Sequence, residues 1–147
     1  MSTMADYLAA VARPGQTVNN LFGFLGVEVE EISPVQARLR LPLRPEFLQG
    51  AGMLAGGVLA TLLDETMAHA VLPGLPEGQA VTTVEMSTRY LSPVGPRDLD
   101  GPPLSCLARV VRRGKRVAFV EAEVSLGERS IARASASFLI VPASPGS

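Results

Sequence analysis

The chain has 147 residues, is 47% hydrophobic and 18% charged, and carries a formal net charge of -1; this suits one domain with its own core and supplies no basic field for nucleic acid. Its single cysteine, Cys106, excludes an internal disulfide, and one Cys with one His leaves no ligand set for a His/Cys metal site in one chain. No apolar run is long enough to span a bilayer and the N-terminus carries Asp6 without a basic stretch, so neither a membrane span nor a signal peptide is expected, and the cytoplasm is the expected location.

Residues 3–12 read as a short helix, capped by Ser2 or Thr3 and stopped by Arg13-Pro14-Gly15. Residues 19–25 read as a second, ending at Gly26. Residues 1–20 are thus a helical appendage to a single domain that spans residues 1–147. Residues 27–32 and 35–41 read as a hairpin around Ser33-Pro34. In its second arm Val35, Ala37, Leu39 and Leu41 alternate with Gln36, Arg38 and Arg40, the period of a half-buried strand.

A glycine-rich loop then runs into a helix without Gly or Pro from Val58 to Leu72. Its apolar residues lie nearly all round it, which predicts a buried helix. Asp64 and Glu65 sit in its middle, where an unpaired carboxylate costs several kcal/mol of desolvation. After the break at residues 73–78 come four strand-like runs: 79–92, 104–113, 116–126 and 129–141, with a tail at 142–147. Ala118, Val120, Ala122, Val124 and Leu126 share one face of the third run; Ala132, Ala134, Ala136, Phe138 and Ile140 share one face of the fourth. Alternates such as Glu121, Glu123 and Arg133 make the other face wet. Small dry-face residues let a helix approach closely. The order predicts the α+β class: an antiparallel sheet with one helix on one face.

That order, with its motifs, resembles the hotdog fold, a long antiparallel β-sheet wrapped around one central α-helix. More specifically it is similar to the small acyl-CoA thioesterases related to the phenylacetyl-CoA and 4-hydroxybenzoyl-CoA enzymes. The family signature is His-Gly-Gly at the helix start with Asp or Glu nine positions after the His. Here Ala55-Gly56-Gly57 fills the triplet, Asp64 falls at plus nine, and Gln49 stands where relatives have Asn or Gln. Tyr90-Leu91-Ser92-Pro93 and residues 112–120 also resemble the family. The departure is Ala55. It bears on substrate orientation and rate more than on reaction type.

The resemblance implies hydrolysis of an acyl-CoA to a free acid and CoA, with no cofactor or metal beyond the CoA of the substrate. A helix start offers unpaired N–H groups and positive potential, and a glycine there lets a carbonyl approach. Gly56, or Gly57, is the candidate oxyanion donor; the plainer reading is a tight loop-to-helix turn. Asp64 is the candidate base or nucleophile; otherwise it is an acid satisfied by nearby hydroxyls or placed at a dimer seam. Glu65 is the second candidate. Gln49 could bond the carbonyl or the water, or be a solvated loop residue. Thr83 stands where relatives carry a Ser or Thr that helps hold the water, or is an ordinary strand residue. Thr61 and Thr66 suit backbone carbonyls. Arg89, Arg113, Lys115 and Arg116 are candidates for CoA phosphates, although a charged turn is also commonly just solvated. Met53, Leu54, Leu62, Met67, Tyr7 and Phe22 are acyl-pocket or core residues.

Gly56 and Asp64 lie eight residues apart, about 12 Å along a helix at ~1.5 Å per residue. One helix is poorly suited to give both to one carbonyl. Two antiparallel copies could, so the chemistry argues for a homodimer with sites at the seam. The resemblance implies the same, with dimers pairing into homotetramers. Ala55 motivates an alternative, a non-catalytic acyl-CoA binding module. A hotdog dehydratase is a third reading, disfavoured because His69 is badly placed for it.

Overall fold

The computed structural model describes residues 3–144; Ser2 and the last three residues of the expected tail lie outside that range. Two short helices come first, α1 (Met4–Val11) and α2 (Asn20–Leu25). Thr3 caps α1 in a reciprocal box with Asp6, filling two of the donors a helix start leaves open. Asn19 caps α2, and Gly26, at φ 85°, closes it in the left-handed conformation that glycine adopts without strain.

A hairpin of β1 (Glu28–Ile32) and β2 (Gln36–Leu41) precedes the central helix α3 (Gly56–Val71). Four strands follow: β3 (Gln79–Tyr90), β4 (Leu104–Arg113), β5 (Val117–Leu126) and β6 (Arg129–Pro142). All pairs are antiparallel, in the order β1-β2-β4-β5-β6-β3. The expected elements are present with ends moved by one or two residues. Pro142, expected in the tail, instead pairs with Gln79 at the sheet's end.

Helix α3 lies on one face of this sheet. Ala37, Ala108, Ala118, Ala132 and Ala136 are buried beneath it, and Leu62, Leu63 and Met67 fill the space these small residues leave. Each of those three is worth about 2 kcal/mol in apolar burial. The expectation of a helix buried all round is corrected here. Gly57 is exposed, and Ala60, Thr61, Asp64, Glu65 and Ala68 are only half-buried. These residues recur at helical spacing, so a single chain leaves one stripe of α3 uncovered, and Asp64 lies in it.

Glu121 and Glu123 line the opposite, wet face. With Arg38, Arg89, Arg109 and Arg133 they border an open concavity of about 680 Å³.

Candidate active site

Strand β3 is the sheet's edge beside β6 and brings two side chains to α3. Thr83 Oγ1 donates to Asp64 Oδ1 at 2.7 Å. Tyr90 Oη, at the far end of the strand, donates to Gly56 O at 3.0 Å. Seven positions separate Thr83 from Tyr90, so strict alternation would put them on opposite faces. A bulge at Val84 resolves this: Thr83 pairs with Phe138, but Glu85 pairs with Ser137. One residue is absorbed, and the facing side switches. Beyond the bulge Thr88 and Tyr90 stand opposite the buried Ala134 and Ala132, and Arg89 stands opposite the exposed Arg133.

The start of α3 is open. Ala55 is its N-cap, at φ -65° and ψ 133°, and offers no capping side chain. Ala55 O accepts from the N–H groups of Val58 and Leu59, while among the described residues nothing accepts from those of Gly56 or Gly57. The preceding loop is held by Leu54 N–H on Val94 O at 2.8 Å and Ala55 N–H on Phe47 O at 3.0 Å. Gln49 Oε1 accepts from Ala51 N–H, which turns its carbonyl into its own loop and leaves its amide hydrogens free to donate. A concavity of about 300 Å³ lies beside Gly56, walled by Met53, Leu54, Leu59, Tyr90, Leu91 and Val94. Of the residues weighed as acyl wall or core, Met53 and Leu54 are here; Phe22, Leu62 and Met67 are in the core.

The structure therefore groups Asp64 with Thr83, and Gly56 and Gly57 with Tyr90. The basic candidates are not gathered at either group. Arg89 faces the wet concavity on the other side of the sheet. Arg113 donates to Val71 O at 3.0 Å and to Pro34 O at 3.2 Å, occupied with one carbonyl at the C-terminal end of α3 and one in the β1–β2 turn. Lys115 and Arg116 are exposed in the β4–β5 turn. Thr61 and Thr66 bond the carbonyls of Gly57 and Leu62. Tyr90 had no role assigned from sequence, although it opens the Tyr-Leu-Ser-Pro run; only the bulge reveals which way it faces.

At the other end of the stripe His69 is buried. Its Nδ1–H donates to Glu65 O at 2.7 Å, so Nε2 accepts the Tyr7 hydroxyl at 2.9 Å, and Asn19 Nδ2 in turn donates to Tyr7 Oη at 2.9 Å. The Phe22 ring lies 4.9 Å from the imidazole. Burial pushes the His69 pKa down, against a smaller opposing effect of its bond to the Glu65 carbonyl. Burial, reinforced by the charge of Asp64, pushes the Glu65 pKa up.

A family model of the thioesterase superfamily matches residues 51–132. The chain is also 34% identical, over 82% of its length and 79% of the other, to a Halobacterium salinarum protein named "putative esterase". Two solved structures share the architecture. A thioesterase family protein from Silicibacter pomeroyi superposes with TM-score 0.79 at 24% identity, over 95% of this chain and 96% of that one. A phenylacetic acid degradation-related protein from Ralstonia eutropha JMP134 superposes with TM-score 0.78 at 25% identity, over 90% and 98%. The chain belongs to the thioesterase superfamily and has the hotdog fold.

Proposed function

We propose that the chain hydrolyses an acyl-CoA thioester as a homodimer, with Asp64 of one protomer facing the helix start of the other. The observation that carries this reading is the pairing of a hydroxyl-held carboxylate with a helix start whose first two N–H groups are unpartnered. Family membership supports hydrolysis of a thioester in general. Asp64 either takes a proton from water, whose oxygen then bonds to the thioester carbon, or attacks that carbon itself. Charge builds on the carbonyl oxygen, where the Gly56 N–H or that of Gly57 donates. Collapse breaks the C–S bond and releases CoA as a thiolate, which takes up a proton; on the direct-attack route it leaves the acyl group on Asp64 as an anhydride, which water then cleaves to the free acid and the restored carboxylate. Thr83 holds one carboxylate oxygen and leaves the other for the reaction. Gln49 keeps amide hydrogens for the carbonyl or the water. No metal enters these steps.

The dimer reading has support at the sheet edges. β1 is five residues long and carries Glu28, Glu30 and Glu31, charges that discourage pairing. β3 is twelve residues long and exposes Thr82, Thr83 and Val84 along its unpaired side. A second copy joined there would bring the uncovered stripes of two α3 helices together. Among the described residues no helix is long and apolar enough to cross a membrane; a cytoplasmic location and further pairing into tetramers complete the proposal.

The test is thiol release from a panel of aryl- and alkyl-CoA esters by wild type and Asp64→Asn. Turnover by wild type and a loss of at least about a hundredfold in the variant are expected. Binding of the esters without turnover in either would favour the non-catalytic module.

A further inference from the structure

The carbonyl of Gly56 and the N–H of Gly57 belong to one rigid peptide plane and point in opposite directions. Whatever holds that carbonyl therefore aims that N–H. Tyr90 holds it in two ways. Its hydroxyl donates to Gly56 O at 3.0 Å, and its ring rests on the glycine so closely that a Cβ at position 56 would lie 3.2 Å from Tyr90 Cζ. The usual means of ordering a helix start is a capping side chain, but such a side chain accepts from the N–H groups of the first turn and would consume the donors it orders. Ala55 supplies no such group.

The geometry points to Tyr90 as a positioning residue for the open amide pair of α3. It orders the first turn from the carbonyl side and leaves the Gly56 and Gly57 N–H groups unpaired, with Gly56 at the wall of the adjoining concavity. A hydrogen bond received by a peptide carbonyl also polarises its N–H, which makes the Gly57 amide a stronger donor. This role rests on the thioesterase reading for its effect on rate, but not for its effect on the peptide.

Tyr90→Phe keeps the ring and removes the hydroxyl, and two readouts decide the matter. In protein labelled with ¹⁵N at its 14 glycines, the Gly57 amide resonance is expected to move in the variant while resonances remote from the site stay in place. In thiol-release assays kcat is expected to fall about tenfold with KM within about twofold, less than the loss from removing a direct oxyanion donor. An unmoved Gly57 resonance overturns the proposal whether or not the protein is active. A wild-type kcat in the variant overturns it too, as does a fall in kcat matched by a general loss of thermal stability. If wild type hydrolyses no ester in the panel, the function is refuted and the Gly57 resonance alone decides the positioning role.

Discussion

Thr83 Oγ1 and Asp64 Oδ1 meet at 2.7 Å, and this bond ties the open edge of the sheet to the uncovered stripe of the helix. A hydroxyl that donates to a carboxylate fixes its rotamer and occupies one of its two oxygens. Thr83→Val keeps the branched shape and removes the donor. We expect kcat to fall by about tenfold, consistent with the loss of one bond to a charged group at a partly exposed site. In Asp64→Asn the same substitution should have almost no further effect, because the two residues act as a unit. Independent, multiplicative losses in the double variant would separate Thr83 from Asp64.

The bare N-cap gives a trade between stability and rate. Ala55 already has extended backbone angles suited to a capping residue. Ala55→Asp should stabilise the fold by about 1 kcal/mol through a bond to an N–H of the first turn, raising Tm by a few degrees. The same bond competes with substrate for those donors, so kcat should fall. Thermal melts and thiol release on one preparation check both halves. A variant that gained stability with no loss of rate would show that these amides are not used.

His69 gives stability a dependence on pH. Its folded pKa lies below the ordinary value of 6.5, so the folded protein binds fewer protons than the unfolded chain as pH drops under 6.5. Its contribution is present above that pH and is lost as pH falls toward the folded value. Glu65 works the other way. Its folded pKa is raised above 4.5, which costs stability as pH rises from 4.5 through the folded value. The groups facing His69 are Glu65 of its own helix, Tyr7 of α1, and the uncharged Asn19 and Phe22. Melting wild type and His69→Gln from pH 7.5 to 5 should show a decline with acid in wild type that is shallower in the variant. Parallel curves would assign the decline elsewhere.

Cys106 should be inert in the native protein. It is fully buried on β4, and burial pushes its thiol up to about 12. A thiol reagent at pH 8 should find no reactive group until denaturant is added, and then one per chain. Thiol release from substrate can accordingly be followed without background from the protein.

The edge strand carries the test of assembly. Val84 is 63% exposed at the bulge, so Val84→Asp disturbs little within one chain. If two copies join along β3, this charge should yield a folded monomer with no measurable thioesterase activity. Sedimentation and far-UV circular dichroism distinguish that outcome from unfolding. An oligomer of unchanged size would place the interface elsewhere.

Much of this architecture was legible because local patterns agree with the tertiary structure. The alternation in residues 117–126 and 129–140 comes from strands with one dry face, and the closed caps at Thr3 and Gly26 agree with their residue types. Gly56 and Gly57 read as loop because glycine is a poor helix former, yet they make the first turn, where its cost is small and a Cβ at 56 would press on Tyr90. The apolar surround of α3 also misleads, since a sequence pattern does not say whether a residue is covered by its own chain or by another. Asp64 and Gly56 follow from motif spacing, and Thr83 from the position at which relatives carry a Ser or Thr, rather than from periodicity. Arg113 was hidden because its carbonyl partners, Val71 and Pro34, lie 42 and 79 positions away.

The bulge at Val84 makes β3 sensitive to counting in a way its composition does not show. Thr83 and Tyr90 both reach α3 only because one residue between them falls out of the pleat. Drawing Val84 into the pleat, so that the strand alternates strictly with no residue removed, would invert everything on one side of it. Either Tyr90 would leave the helix start and Arg89 would take its place over the alanines, or Thr83 would swing to the outer face and abandon Asp64. A change that idealises the strand at its present length would thus act as a frameshift in space, with each downstream side chain intact and on the wrong side of the sheet, whereas deleting Val84 itself would leave Thr83 and Tyr90 on the helix face.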